Sequence, residues 1–178
     1  EVSHMGVQVH GGMGFIEETG AAQFCRDVRV TAIYEGTNGI QAMDLVGRKL
    51  VDGGDAAFRI LDEIEAFAEV ARATLPELSG KVWGAAENLR ETTEWLVAQT
   101  DMNDRFAGAA PYLRAFARVL GGYYHLKSAV ADAAVGPRTR LAAFYIDRLL
   151  PEHAGLLEHA RQGAGSLMGL SAQDLAVE

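Results

Sequence analysis

The chain contains one cysteine, Cys25, so no disulfide can form within it and its stability must come from packing, as suits a reducing, cytoplasmic setting. No hydrophobic run approaches the roughly 20 apolar residues of a membrane span, and no signal-like apolar region opens the sequence. Basic residues are in the minority, 16 against 24 acidic ones for a formal net charge of −8. They form no dense stripe, and an acidic surface repels phosphate backbones, which argues against a nucleic-acid binder. Metal-ligand spacings are also missing. His125, His153 and His159 stand apart from carboxylates and from Cys25, and Asp101, Asn103 and Asp104 lack the glycine and closing glutamate of a calcium loop. No metal is expected.

What is present is an ordinary apolar content, 49 % of 178 residues, enough for one or two compact domains. Glycine is unevenly placed, with Gly11, Gly12 and Gly14 crowded together after the apolar pair Val7 and Val9. Two readings are open. The cluster is a helix stop and turn, or it is a place where backbone without a β-carbon lies against a flat or anionic ligand. A dinucleotide fingerprint is excluded, because no strand precedes the loop and no helix opens on its last glycine.

A helix starting at Glu18 or Thr19 is predicted to run towards Ile33, burying Ala21, Ala22, Phe24, Cys25 and Val28 while Arg26, Asp27 and Arg29 face elsewhere. Glu35 follows, with Gly36, Thr37 and Asn38 as a turn. The spacing of Asn38 and Gln41 predicts a capping box for a helix carrying Ile40, Met43, Leu45, Val46 and Leu50. Taken alone, Glu35 is a carboxylate favouring a helix N-terminus.

Residues 51 to 178 read as helices throughout. Gly53 and Gly54 break the preceding helix. Asp55 is expected to cap the next, with Phe58, Leu61, Ile64 and Phe67, extended by Val70 and Ala71, as its apolar stripe and Pro76 as its end. Ser79 restarts a helix through Val82, Trp83, Ala86, Leu89, Leu96 and Val97. A third segment runs from Met102 to Ala134, with Pro111 and Gly121-Gly122 marking a kink or a close helix contact. Pro137 opens a helix with Leu141, Phe144, Tyr145 and Leu149 on its apolar side, and Pro151 bends it. Short connections favour an antiparallel bundle. The aromatic residues are core positions at helical spacing.

The stretch Gln8-Val-His-Gly-Gly-Met-Gly-Phe15, with Ile33-Tyr-Glu-Gly-Thr-Asn-Gly-Ile-Gln41 downstream and Arg26-Asp27 between, resembles the C-terminal core of FAD-dependent acyl-CoA dehydrogenases. The resemblance is tight over about residues 1 to 50 and looser beyond, where the chain looks like the extra helical domain of one subgroup. It implies an all-α fold, with residues 1–52 the end of the dehydrogenase helical bundle and 53–178 an additional antiparallel bundle. A motif that lies deep in a much longer enzyme starts almost at Glu1, so the chain is expected to be a fragment, inactive alone. By resemblance, Glu35 is the base that removes the α-proton of an acyl-CoA thioester in fatty-acid β-oxidation. Tyr34, Glu35 and Gly36 meet the substrate, Gln8, Gly11 and Gly12 lie against the ADP part of FAD, and Thr37 contacts the flavin. His10 has no catalytic role, and the Arg26-Asp27 helix braces the loop without touching ligand. One departure is Gly39, where many relatives carry Gln. The resemblance further implies a homo-oligomer and an electron-transferring flavoprotein as acceptor. The alternative is a non-catalytic helical oligomerisation or interaction module.

Overall fold

The computed structural model describes residues 1–132 and 135–176, and all regular structure among them is helical. Two compact units form, one spanning Glu1–Gln41 and the other beginning at Ala42. No helix is long and apolar enough to cross a membrane among the described residues.

The first unit holds α1 (Val2–Val9), the single turn α2 (Gly12–Phe15) and α3 (Ala21–Arg29), with 3-10 turns at Glu17–Thr19 and Val30–Ala32. The start expected at Glu18 or Thr19 moves to Ala21. Gly20, at φ +74, makes the turn, and the Thr19 hydroxyl donates to the Met13 carbonyl at 2.6 Å instead of capping. The apolar face expected to be buried is largely open: Ala21 is buried, but Phe24 is 73 % exposed, and Val28 and Ile33 are exposed as well. A small unit with so few elements has nothing to lay over that face.

Helix α4 (Asn38–Asp44) passes into a π-helical turn, Leu45–Lys49. Ala42, Val46 and Leu50 belong to the core of the second unit. That core is built by α5 (Asp55–Ala71), α6 (Pro76–Ala98), α7 (Met102–Ala107), α8 (Ala109–Val130), α9 (Pro137–Arg148) and α10 (Glu152–Ala160). Chain directions follow from the contacts. Gly54 faces Val97 while Arg90 reaches Asp62 and Glu65 at 2.7 and 2.8 Å, so α5 and α6 are antiparallel. Thr93 meets the Tyr112 hydroxyl and Val82 meets Gly122, which makes α6 and α8 antiparallel. Gly108 abuts Ala160 while Arg118 pairs with Glu152, and α10 therefore runs back along α8. Leu61, Ile64, Val82, Leu89, Leu96, Val119, Leu126 and Ile146 fill the interior at 1 % exposure or less, each worth about 1.5–3 kcal/mol of burial. Tyr112 is buried among them; desolvation pushes its hydroxyl up to about 12, and Thr93 satisfies it.

Several punctuation marks act differently from expectation. Asp55 is the first helical residue behind Gly54, whose φ of +82 makes the turn, so the carboxylate caps nothing and only favours the helix N-terminus. Pro76 opens α6 instead of ending α5, because its missing N–H is harmless in a first turn; Ser79 is then an interior residue, fully buried. The third segment divides at Gly108, which leaves Pro111 in the first turn of α8, where it is tolerated. The segment's expected end at Ala134 lies outside the described residues, and α8 itself stops at Val130. Gly121 and Gly122 admit Tyr145, Leu150 and Val82, the close-contact alternative of the two. In α9 the buried face is Thr139, Ala142 and Ile146, while Leu141 and Phe144 are 56 and 59 % exposed. Pro151 separates α9 from α10 outright.

Candidate active site

The first loop divides its glycines among different duties. Helix α1 ends at Val9, and His10 folds back with Nδ1 2.9 Å from the Gly6 carbonyl. Gly11 takes φ +61, a backbone state that a side chain would strain. Gly14 is buried, and a β-carbon there would strike the Val7 carbonyl oxygen and His10 Cβ, the latter at 2.8 Å. Gly12 is different. It is the first helical residue of α2 and nothing lies within 4 Å of where its β-carbon would be, so the fold of this chain does not require glycine there. Gly11 is equally open. The result is bare, exposed backbone beside the exposed Gln8, which fits the flat, anionic ADP portion of a dinucleotide. Gln8 also lines a cleft of about 770 Å³ with Met5, Val7, Phe15, Ile16 and Cys25.

Arg26 and Asp27 do not pair with each other. Arg26 donates to Glu17 and to Gln23, both at 2.6 Å, and Asp27 accepts from Gln23 at 2.6 Å. Such an exposed network is worth under about 1 kcal/mol and acts as a brace between the 3-10 turn and α3. Cys25 Sγ lies 3.3 Å from His4 Nδ1 across α1 and α3.

The second loop is the more constrained. Tyr34 closes the 3-10 turn, its N–H on the Val30 carbonyl at 3.1 Å, and its ring is 56 % exposed. Glu35 follows at φ +56, the one non-glycine with positive φ among the described residues, and Gly36 at φ +98. A left-handed glutamate costs about 1–2 kcal/mol and persists only where its surroundings enforce it. The contact made to this backbone is from the Gln41 amide, whose Nε2 donates to the Glu35 carbonyl oxygen at 2.6 Å. Thr37, not Asn38, caps α4, its Oγ1 accepting from the Ile40 N–H at 3.4 Å. The capping box expected from Asn38 and Gln41 does not form: the cap moves to Thr37, the residue three places on is Ile40, which has no polar side chain to return the bond, and the Gln41 side chain reaches past the helix end to Glu35. No acceptor for the Glu35 N–H is found among the described residues, and its carboxylate is exposed.

Tyr34, Glu35, Gly36 and Thr37 therefore sit on one turn and Gln8, Gly11 and Gly12 on another, and no hydrogen bond joins the two turns among the described residues. Gln41 closes the second sequence motif, but its spacing to Asn38 suggested only a helix cap and not a contact with Glu35.

The family profile described as "Acyl-CoA dehydrogenase, C-terminal domain" matches residues 1–50, and the profile "Acetyl-CoA dehydrogenase C-terminal like" matches residues 60–171. The chain belongs to the acyl-CoA dehydrogenase family. Similar members of the family include 3-methylmercaptopropionyl-CoA dehydrogenase of Ruegeria pomeroyi, 43 % identical over 148 residues, which are 75 % of this chain and 24 % of that protein. Butyryl-CoA dehydrogenase of Syntrophomonas wolfei is 32 % identical over 124 residues, 65 % of this chain and 20 % of that one. With the mitochondrial short-chain specific acyl-CoA dehydrogenase of Rattus norvegicus the identity is 45 % over 49 residues, 28 % of this chain and 12 % of that enzyme. The chain spans about a quarter or less of the length of these family members.

Proposed function

We propose that the chain is the catalytic-base segment and the C-terminal helical region of an FAD-dependent acyl-CoA dehydrogenase that converts acyl-CoA thioesters to 2-enoyl-CoA. Residues 1–52 would be the end of the dehydrogenase helical domain and 53–178 an added bundle. The observation that carries this reading is Glu35, an exposed carboxylate held in a left-handed turn that a glutamate would not adopt unaided.

In this reading the Glu35 carboxylate takes the α-proton, and enclosure with an apolar acyl chain raises its basicity towards the working pH. The Glu35 N–H, free of an internal acceptor, polarises the thioester carbonyl as one donor of an oxyanion-type pair. Gly36 turns the backbone away beneath the substrate, and Tyr34 lines the acyl path. When bound, FAD supplies the acceptor for the β-hydrogen as hydride. Gln8, Gly11 and Gly12 would hold its ADP part across a subunit boundary, and the Thr37 hydroxyl, which only accepts from Ile40, keeps its proton for a flavin contact. Electrons would leave to an electron-transferring flavoprotein, in the cytoplasm. The reading is tested by the absorbance of the full-length protein: a flavin spectrum bleached by a panel of acyl-CoAs supports it, and a colourless protein removes it in favour of a non-catalytic interaction module.

Because Gly12 has open space around its missing β-carbon, Gly12→Val should leave the chain folded yet weaken FAD retention in the full-length oligomer. Unchanged flavin occupancy would reduce the loop to a helix stop. By itself the 178-residue chain is expected to bind neither FAD nor acyl-CoA, since residues 1–50 offer one edge of each site. Calorimetric titration giving a micromolar or tighter constant for FAD would mean that these residues hold most of the cofactor site, against this expectation.

A further inference from the structure

We infer that Gln41 is a positioning residue for proton abstraction, fixing the direction of the Glu35 side chain by gripping the Glu35 carbonyl oxygen; the inference rests on Glu35 being the base. Gln41 is anchored in the first turn of α4, its N–H on the Thr37 carbonyl at 2.9 Å, so its amide is presented from a helix and not from a loop. The acceptor is a carbonyl, which requires the Gln41 NH₂ to face it and fixes which end of the amide points there. Gly36 stands between at φ +98, a backbone state that a side chain would strain, and lies against Gln41 Nε2 and Ile40 Cγ2, which a β-carbon there would meet at 3.4 Å, an ordinary contact distance.

A carbonyl and a side chain leave the same residue, and pinning one at a left-handed φ dictates where the other points. Released from Gln41, residue 35 has open to it the negative-φ regions that glutamate prefers, and the carboxylate swings with the backbone. General-base chemistry needs the base within hydrogen-bond reach of the proton it removes, and a displacement of about 1 Å can cost on the order of 100-fold in rate. A residue serving only to cap a helix would bond to the helix's own first N–H groups; Gln41 bonds outward, to the catalytic turn.

The test uses the flavin-loaded full-length protein with Gln41→Met and Gln41→Glu, reading FAD content, KM for acyl-CoA, flavin reduction and the exchange of the substrate α-proton with D2O. Gln41→Met should lower reduction and α-proton exchange together by about 10- to 100-fold with FAD content and KM unchanged. Gln41→Glu keeps the shape but donates only when its carboxyl is protonated, so its deficit relative to wild type should shrink as pH falls from about 6 towards about 4, through the ordinary range of a glutamate carboxyl. Wild-type exchange in Gln41→Met, a loss of FAD or a rise in KM that accounts for the slower rate, or a pH-independent deficit in Gln41→Glu would overturn the inference. If Gln41→Met does not fold, the pH dependence of Gln41→Glu decides alone. Glu35→Gln is run beside them: normal exchange in that variant removes the base assignment itself, whereas a dead Glu35→Gln with a fully active Gln41→Met removes only the positioning role.

Discussion

Flavin reduction by acyl-CoA should fall about 10²- to 10⁴-fold in Glu35→Gln, with FAD still bound. The amide retains the size and outline of the carboxylate and changes nothing about the left-handed backbone, whose partner Gln41 contacts the main chain. What it loses is the capacity to take a proton. The effect should therefore appear in the rate of reduction and in α-proton exchange, and not in flavin content. Rapid mixing of the oxidised protein with substrate measures it directly. Near-normal reduction in the variant would put the base on another residue and leave the Glu35 turn without a chemical reason.

Stability offers the second large effect. Gly108→Ala should destabilise the helical bundle by about 1–3 kcal/mol, because a β-carbon there falls on the Ala160 carbonyl oxygen and within 3.1 Å of its carbon. The obstacle is backbone, so α10 has to move off α8 as a whole; no rotamer change relieves it. Gly108 has φ −88, which alanine adopts freely, and backbone strain does not contribute. Gly80→Ala is the matched control. It lies inside α6 with nothing within 4 Å of the new β-carbon, and should stabilise by about 0.5–1 kcal/mol through the lower entropy of the unfolded chain. Urea titrations of both variants measure opposite signs if the packing is as described. Equal stability of Gly108→Ala and wild type would mean that α8 and α10 are not in contact at that point.

The bundle was legible where one local rule had one outcome. Pro137 behind Gly136 begins a helix, Gly53 and Gly54 end one, and the spacing of Leu61, Ile64 and Ala71 buries one face, although Val70, expected on it, is exposed. It was less legible where a residue can serve either side of a break. Pro76 is equally consistent with ending α5 and with opening α6, since proline stops one helix and suits the first turn of the next. The structure links the antiparallel pair through residues 72–75 alone, which leaves Pro76 as the first residue of α6. The Glu35 turn was legible as a motif and not as a geometry, because the pattern that marks Glu35 says nothing of its φ, and Gln41 resembled an ordinary cap.

From the sequence alone came the helical class, the lack of a disulfide within the chain, the two glycine-rich turns and the carboxylate in the second of them. These depend on composition and on contacts between near neighbours in the chain, which a sequence displays directly. The tertiary structure alone decided which face of α9 is buried. Leu141 and Phe144 make as good an apolar stripe as Ala142 and Ile146, and only the positions of α6 and α8 select the second. It decided likewise that Gly14, Gly108 and Gly121 answer to neighbours while Gly12 and Gly80 do not. It also decided that Glu35 is left-handed, since the bond that holds it there comes from a side chain six residues away. Each of these is a choice between locally equivalent states, and the energy that separates them lies in contacts the local pattern does not contain.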